Sequence, residues 1–502
     1  ESADEKAVHY IVHCLYKLGK HYRRSGARIY LQGFKVSVAD KKTAARRGDM
    51  RNSKTAKVRD DAQFFGNEKI WKILARTAPP VMLAQLIQAM YNIVDSFFVG
   101  RFSGDGLTAL SVIFPVQLII TALAVGTGVG VNTAMSRRYA IGDNKGANRT
   151  GGAGMVCAVV LWALFTAVSV PLMCPYVTTS AQSPAAIDYA VQYGTIVCAG
   201  SLGIFLESIW TKVHQAHGNM MVPMIAQIAG AVTNIVLDPL LIFGLWIFPQ
   251  LGVAGAAYAT VAGQVVAAII VGVRGFRAPP PIAEFFTHVK EIFRLGYPSI
   301  FMQALYTVYI VVLNIILKGF SDDAVTVLGL YYKMQTFFFI PLQGLQTCIV
   351  PVLSYNYAQR KFARDRLIMR DSIIFSMAFM LVGVLCFELI PVHLISVFSS
   401  DDGVKSIGRV AFRIIGTSFL PAVPSLILPV FFQAIGKAVP SVLLSLTRQI
   451  FCLIPIFWGF SYLGLDYTWI AFPMAETITT AVGLILYVIQ IKKWKKESVS
   501  VA

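Results

Sequence analysis

Charge is what this chain has least of. Lys, Arg, Asp and Glu make up 14% of its 502 residues, where a soluble domain carries about 25%. With 56% hydrophobic residues, the chain reads as a polytopic membrane protein. Paired cysteine spacing is also missing. Cys14, Cys157, Cys174, Cys198, Cys348, Cys386 and Cys452 are scattered without a CxxC, which gives neither a disulfide framework nor a zinc site. His214 and His217 form an HxxH with no acid or Cys nearby, so the pair reads as a helix end rather than a metal centre. GxSxG and HExxH are absent from the apolar stretches, which removes the usual marks of a membrane-embedded hydrolase. No cleavable signal peptide is visible, because residues 1–49 are polar and basic.

What the chain does have is hydrophobic length. Windows of about 20 apolar residues, enough to cross a bilayer as a helix, recur at 71–98, 108–136, 150–174, 188–212, 221–245, 252–274, 296–318, 326–354, 370–397, 405–431, 438–461 and 466–491. The expected fold is all-α, with twelve transmembrane helices. The net charge of +18 does not call for nucleic acid, because its distribution is topological. Residues 1–76 hold 18 Lys and Arg against 8 Asp and Glu. Beyond them, the basic loops alternate: Arg137, Arg138, Lys145 and Arg149; Arg274, Arg277, Lys290 and Arg294; Arg360, Lys361, Arg364, Arg366 and Arg370; Lys492, Lys493, Lys495 and Lys496. The intervening loops carry only Arg101, Lys318, Lys405 and Arg409. This positive-inside pattern predicts a multi-pass protein of the cell membrane with both termini cytoplasmic.

The chain divides into a basic extension over 1–49, a first half over 50–274, a cytoplasmic linker over 275–295 and a second half over 296–502 with a basic tail. The extension contains HYIVHCLYKLGKHYRR, which suits an amphipathic arm at the membrane surface. Met50 followed by RNSKTAKVRDDAQF also reads as a natural start, which would make 1–49 an appended fusion segment. The two halves repeat each other at a shift of 218. Gln85 meets Gln303, Tyr91 meets Tyr309, Ser103 meets Ser321, Gly126 meets Gly344, and Gln215-Ala216 meets Gln433-Ala434. Two six-helix lobes related by an axis along the membrane normal follow, an arrangement in which carriers place their sites between or within the lobes.

One acid breaks the repeat. Asp95 lies well inside the first span, and its repeat partner is Leu313. A carboxylate there costs about 2.5–3.5 kcal/mol on insertion scales, and by default it marks an ion or proton pathway. Gln85, Gln88, Asn92 and Asp95 form one helical stripe with Tyr91 at its edge. Interhelical polar glue is the alternative reading. The fifth span repeats the chemistry in NIVLDPLLIFG: Asn234 and Asp238 are one turn apart, Gln227 is two turns before Asn234, and Pro239 frees the carbonyl of Ile235. Such hard oxygen donors suit Na⁺, and two neighbouring carboxylates also suit a shared proton. Glu207, Thr260 and Gln264 are weaker candidates for the same interior. Met334, Phe337 and Phe338 could wall a bulky substrate, although ordinary packing explains them as well. Of the charges Lys333, Arg448 and Glu476, the last two read as a structural ion pair, and Lys333 as a snorkelling side chain.

Four segments, VDSFFVGRFSGDGLTALS (94–111), QAHGNMMVPM (215–224), NIVLDPLLIFG (234–244) and GVAGAAYATVAGQ (252–264), resemble the multidrug and toxic compound extrusion (MATE) transporters, and the resemblance extends over about residues 68–492. It implies an antiporter that exports organic, often cationic, amphipathic compounds in exchange for Na⁺ or H⁺, with no cofactor and as a monomer. The similarity to the bacterial branch implies a cation site at Asp95 and Asp238 with Tyr91, Asn234 and Thr260, Na⁺ being held by Asp95, Asn234 and Asp238. It also implies a bend of span one at Pro80. The branch with acids in spans seven and ten is disfavoured, since span seven has no carboxylate. The competing reading is a lipid-linked oligosaccharide flippase of a related two-lobed fold, which would call for a more basic cavity and extra spans.

Overall fold

The computed structural model describes residues 63–180, 183–396 and 401–499, so the extension over 1–49 lies outside the described residues. All of the regular structure described is helical. The first half comprises α1 (Ile70–Phe102), α2 (Gly104–Ala140), α3 (Asn144–Ser180), α4 (Pro184–Gly200), α5 (Leu202–Ala216), α6 (Met221–Phe243) and α7 (Val253–Gly275). The second comprises α8 (Ile282–Lys318), α9 (Asp322–Ala358), α10 (Phe362–Leu389), α11 (Pro391–Ser396), α12 (Asp402–Gly416), α13 (Phe419–Ala434), α14 (Ala438–Leu446), a π turn (Thr447–Leu453), α15 (Ile454–Ser461), α16 (Leu465–Thr468) and α17 (Ala471–Val499). Among the described residues, ten helices are long and apolar enough to span, and twelve spans result if each of two bent pairs counts as one. Helices are the only open-ended answer to a solvent that offers the backbone no hydrogen bonds.

The repeat governs local detail. Ser103 caps α2 by accepting from the Gly106 N–H at 3.3 Å, and its counterpart Ser321 caps α9 from Ala324 at 3.1 Å. The two bends fall at matching places too, 41° between α4 and α5 and 54° between α12 and α13. At the first, the Ser201 hydroxyl donates to the Cys198 carbonyl at 2.7 Å; at the second, Ser418 donates to Ile415 at 2.6 Å. A hydroxyl that takes a helical carbonyl competes with the ladder and bends it. Spans four and ten, drawn as single stretches from hydrophobicity, are therefore broken. The residues read as a linker are mostly helical, because α8 runs without interruption from Ile282 into the seventh span.

Small residues let the halves meet. An added Cβ at Gly126 would lie 2.8 Å from the Ile300 amide nitrogen, and one at Gly130 would lie 2.1 Å from the Ile292 carbonyl. This four-residue spacing of glycines brings α2 and α8 into backbone contact, as small-residue motifs do between membrane helices. Polar bolts surround the seam. Arg137 donates to the Ala434 carbonyl at 2.9 Å, Gln359 to Ala140 at 3.0 Å and Asn356 to Phe65 at 3.0 Å. Arg138 pairs with Glu291 at 2.6 Å, and Arg149 pairs with Glu284. All these bolts sit at the face that carries the basic loops.

Gly130→Leu should cost about 1–3 kcal/mol in denaturant unfolding of the detergent-solubilised protein, because the backbone contact cannot yield. Gly104→Ala should stay within about 0.5 kcal/mol, since an added Cβ there meets nothing within 4 Å.

Candidate functional site

Two interior acids are brought together by helix packing. Helix α1 lies along α6, and α6 along α7. The second contact is closed by paired glycines: a Cβ on Gly230 would lie 2.7 Å from the Gly263 carbonyl, and one on Gly263 would lie 2.6 Å from the Gly230 carbonyl. Asn234 is one turn after Gly230 and Thr260 one turn before Gly263, so this close approach sets the two side chains facing each other. The Asn234 amide donates to Asp238 Oδ1 at 3.3 Å and to the Thr260 hydroxyl at 3.4 Å. Asp238 is fully buried and Asp95 is 8% exposed. The two carboxylates are near enough for their charges to act on each other and on Tyr91.

Each acid has an oxygen without a donor. Asp95 Oδ1, Asn234 Oδ1 and Asp238 Oδ2 are buried and have no hydrogen-bond partner among the described residues. No Lys or Arg pairs with either acid among the described ion pairs. Uncompensated carboxylates in a low-dielectric interior bind a proton or a cation, or else destabilise the fold. The donor set, two carboxylates with amide and hydroxyl oxygens, fits a hard monovalent cation by its chemistry.

A cavity of about 230 Å³ adjoins the cluster. Gln85, Gln88 and Tyr91 line it from α1, Glu207 from α5, Gln227 and Asn234 from α6, and Thr260 and Gln264 from α7. Asn234, Thr260 and Tyr91 thus belong to the cavity wall, whereas Asp95 and Asp238 stand outside the lining. Gln85 Oε1 and Gln264 Oε1 are buried without partners among the described residues. Four expected cavity residues lie elsewhere. Asn92 is exposed and outside the lining, although it stands on the same stripe of α1 as Gln85 and Gln88, one turn past Gln88. Met334, Phe337 and Phe338 are in the second half, where Phe338 packs edge-on against Phe387 at 5.5 Å. Pro80 lies inside α1, which is helical throughout.

Some cavity residues were not singled out in the sequence. Lys212 and Thr211 line the cavity, but Lys212 falls at the last position of the fourth hydrophobic window, where it reads as a flanking charge. Tyr193, whose hydroxyl accepts from Gln117 at 3.2 Å, is buried behind the cluster. Only the orientation of α4 distinguishes it from the other tyrosines. Away from the cavity, Arg448 does pair with Glu476 at 2.7 Å.

The family profile described as MatE matches residues 80–240 and again 298–458. The chain belongs to the MatE family. The two matches begin 218 residues apart, the same shift as the internal repeat. Among curated relatives, the multidrug export protein MepA of Staphylococcus haemolyticus (strain JCSC1435) is 23% identical over 435 residues, covering 84% of this chain and 94% of that protein. MepA of Staphylococcus aureus (strain MRSA252) is 23% identical over 440 residues, covering 85% and 96%. Among solved structures, a MATE in complex with MaL6 superposes with a TM-score of 0.81 at 23% identity, covering 87% of this chain and 99% of that one. An outward-facing multidrug resistance MATE transporter gives 0.81 at 23% identity, covering 87% and 98%. The MatE chain is therefore an all-helical multi-pass membrane protein of a transporter family, not an enzyme.

Asp238→Asn should raise the melting temperature in Na⁺-free choline buffer above neutral pH, by about 1–3 kcal/mol of stability, because it removes a buried carboxylate oxygen that has no donor. A lower melting temperature in that buffer would mean that the acid is structurally compensated.

Proposed function

We propose that this MatE protein is a secondary active antiporter that exports organic, often cationic, amphipathic compounds in exchange for Na⁺ or H⁺. The observation that carries the reading is the position of the donor-poor acids against the cavity. Asp95 and Asp238 sit directly behind a wall formed by Tyr91, Asn234 and Thr260. A cation entering at the acids recruits the Asn234 and Thr260 oxygens and neutralises the field that holds a cationic drug. Drug and cation then disfavour each other, and linked sites of this kind typically couple by about 1–3 kcal/mol. The names of the staphylococcal relatives, multidrug export proteins, support the same reading.

Topology follows from the loops. The basic face is cytoplasmic by the positive-inside rule, which puts both termini inside the cell. The bolts between halves lie on that face, so this conformation is the outward-facing one, and Pro80, within the bolted end of α1, is the place where a bend would change the cavity. The flippase reading is weaker, because the cavity presents one lysine, one carboxylate and five glutamines rather than a basic surface.

In proteoliposomes with separately imposed Na⁺ and H⁺ gradients, one gradient or the other should drive export of a cationic dye. Asp95→Asn should abolish that export while the protein remains folded in the membrane; efflux at the wild-type rate in this variant would sink the coupling assignment.

A further inference from the structure

Two opposite charges face the cavity without meeting each other. Glu207 accepts a hydrogen bond from the Thr211 hydroxyl at 2.8 Å, and the Lys212 ammonium donates to Gln215 Oε1 at 2.9 Å. All four side chains line the cavity. Glu207 and Lys212 form no ion pair with each other among the described residues, although they lie on one helix five positions apart. Five positions turn the helix by well over a quarter revolution, so each charge is held at its own place on the wall by a neutral neighbour. Lys212 is fixed from behind as well. Its backbone carbonyl accepts from Asn132 at 3.2 Å, and its stem packs so closely on α2 that a Cβ at Gly128 would lie 2.9 Å from Lys212 Cγ. In a low-dielectric interior, opposite charges attract strongly over such distances. Keeping them apart and facing open space leaves each with capacity for a ligand charge.

We infer that Glu207 and Lys212 are a two-point charge reader: Glu207 takes the cationic group of a compound, and Lys212 takes an acidic group on the same molecule or repels a second cationic one. The inference rests on the cavity being the drug site and names its substrate class, amphipathic monocations and zwitterions with separated charges, with dications excluded. The amide-rich remainder of the wall suits this role, because glutamine side chains turn to donate or accept as the ligand requires.

The test uses purified full-length protein and a matched pair of dyes, a rhodamine with a free benzoate, which is zwitterionic, and its methyl ester, which is a monocation. Fluorescence anisotropy gives binding of both to the wild type, Lys212→Met, Lys212→Arg and Glu207→Gln. In Lys212→Met, the zwitterion should bind at least about tenfold more weakly, the range expected for losing a hydrogen bond to a charged group, while the ester binds more tightly. Lys212→Arg should keep the wild-type preference, and Glu207→Gln should weaken both dyes. Equal changes for the two dyes in Lys212→Met, or a wild type that binds the ester but not the zwitterion, would overturn the charge reader. Export of the ester by wild-type proteoliposomes is measured in parallel. Export without a shift in dye preference sinks the charge reader alone. A shift without export upholds the reader and sinks the transport reading.

Discussion

Buried carboxylate without a donor is the constraint on which this structure depends. Most of the intramembrane polarity is satisfied locally: hydroxyls bond back to their own helix, Arg448 meets Glu476, and Arg137 and Gln359 take helix-end carbonyls of the opposite half. Asp95 and Asp238 each keep an oxygen that no described group satisfies; Asp365 in the first turn of α10 and amides such as Gln85 and Gln264 also hold unsatisfied buried atoms, but these two are the acids of this kind within the apolar spans. A fold retains such groups when the missing partner arrives from outside. The glycine-lined contact between α6 and α7, the proline after Asp238 and the packing of α1 along α6 all hold this incomplete shell in place.

The duplicated fold gives that shell its context. Both halves share the capping serines, the bends in their fourth spans and the 218-residue spacing that the family match reproduces. Their interiors differ. The counterparts of Asp95, Asn234 and Asp238 are Leu313, Cys452 and Ile456, and the second half carries the Arg448–Glu476 pair where the first has Gly230 and Tyr258. At these matched positions within the spans, the first half thus holds unpaired acids and the second a compensated ion pair. A two-lobed carrier gains from this asymmetry, since one lobe can change its charge while the other stays electrostatically fixed.

Much of this was legible in the sequence, because membrane spans announce themselves by length and the repeat by alignment. Asp95, Asn234 and Asp238 stood out as hydrophilic residues in apolar windows, and the structure places Thr260 beside Asn234. Hydropathy locates a span but does not say how far along a polar stripe a cavity extends: Asn92, on the stripe of Gln85 and Gln88, is exposed beyond the lining, and Met334, Phe337 and Phe338, which ordinary packing also explained, do not line this cavity. Lys212 was hidden at the edge of a window, and the breaks at Ser201 and Ser418 were hidden because a hydroxyl bond to the backbone leaves no mark on hydrophobicity.

The most direct measurement is the affinity of a cationic dye for the purified protein across a matrix of Na⁺ concentration and pH. Competition at Asp95 and Asp238 predicts that the dye dissociation constant rises with one of the two cations and levels off at a fixed ratio, with the dye lowering the affinity for that cation by the same factor. A dye affinity that stays flat across both titrations would contradict the coupling of these acids to the cavity.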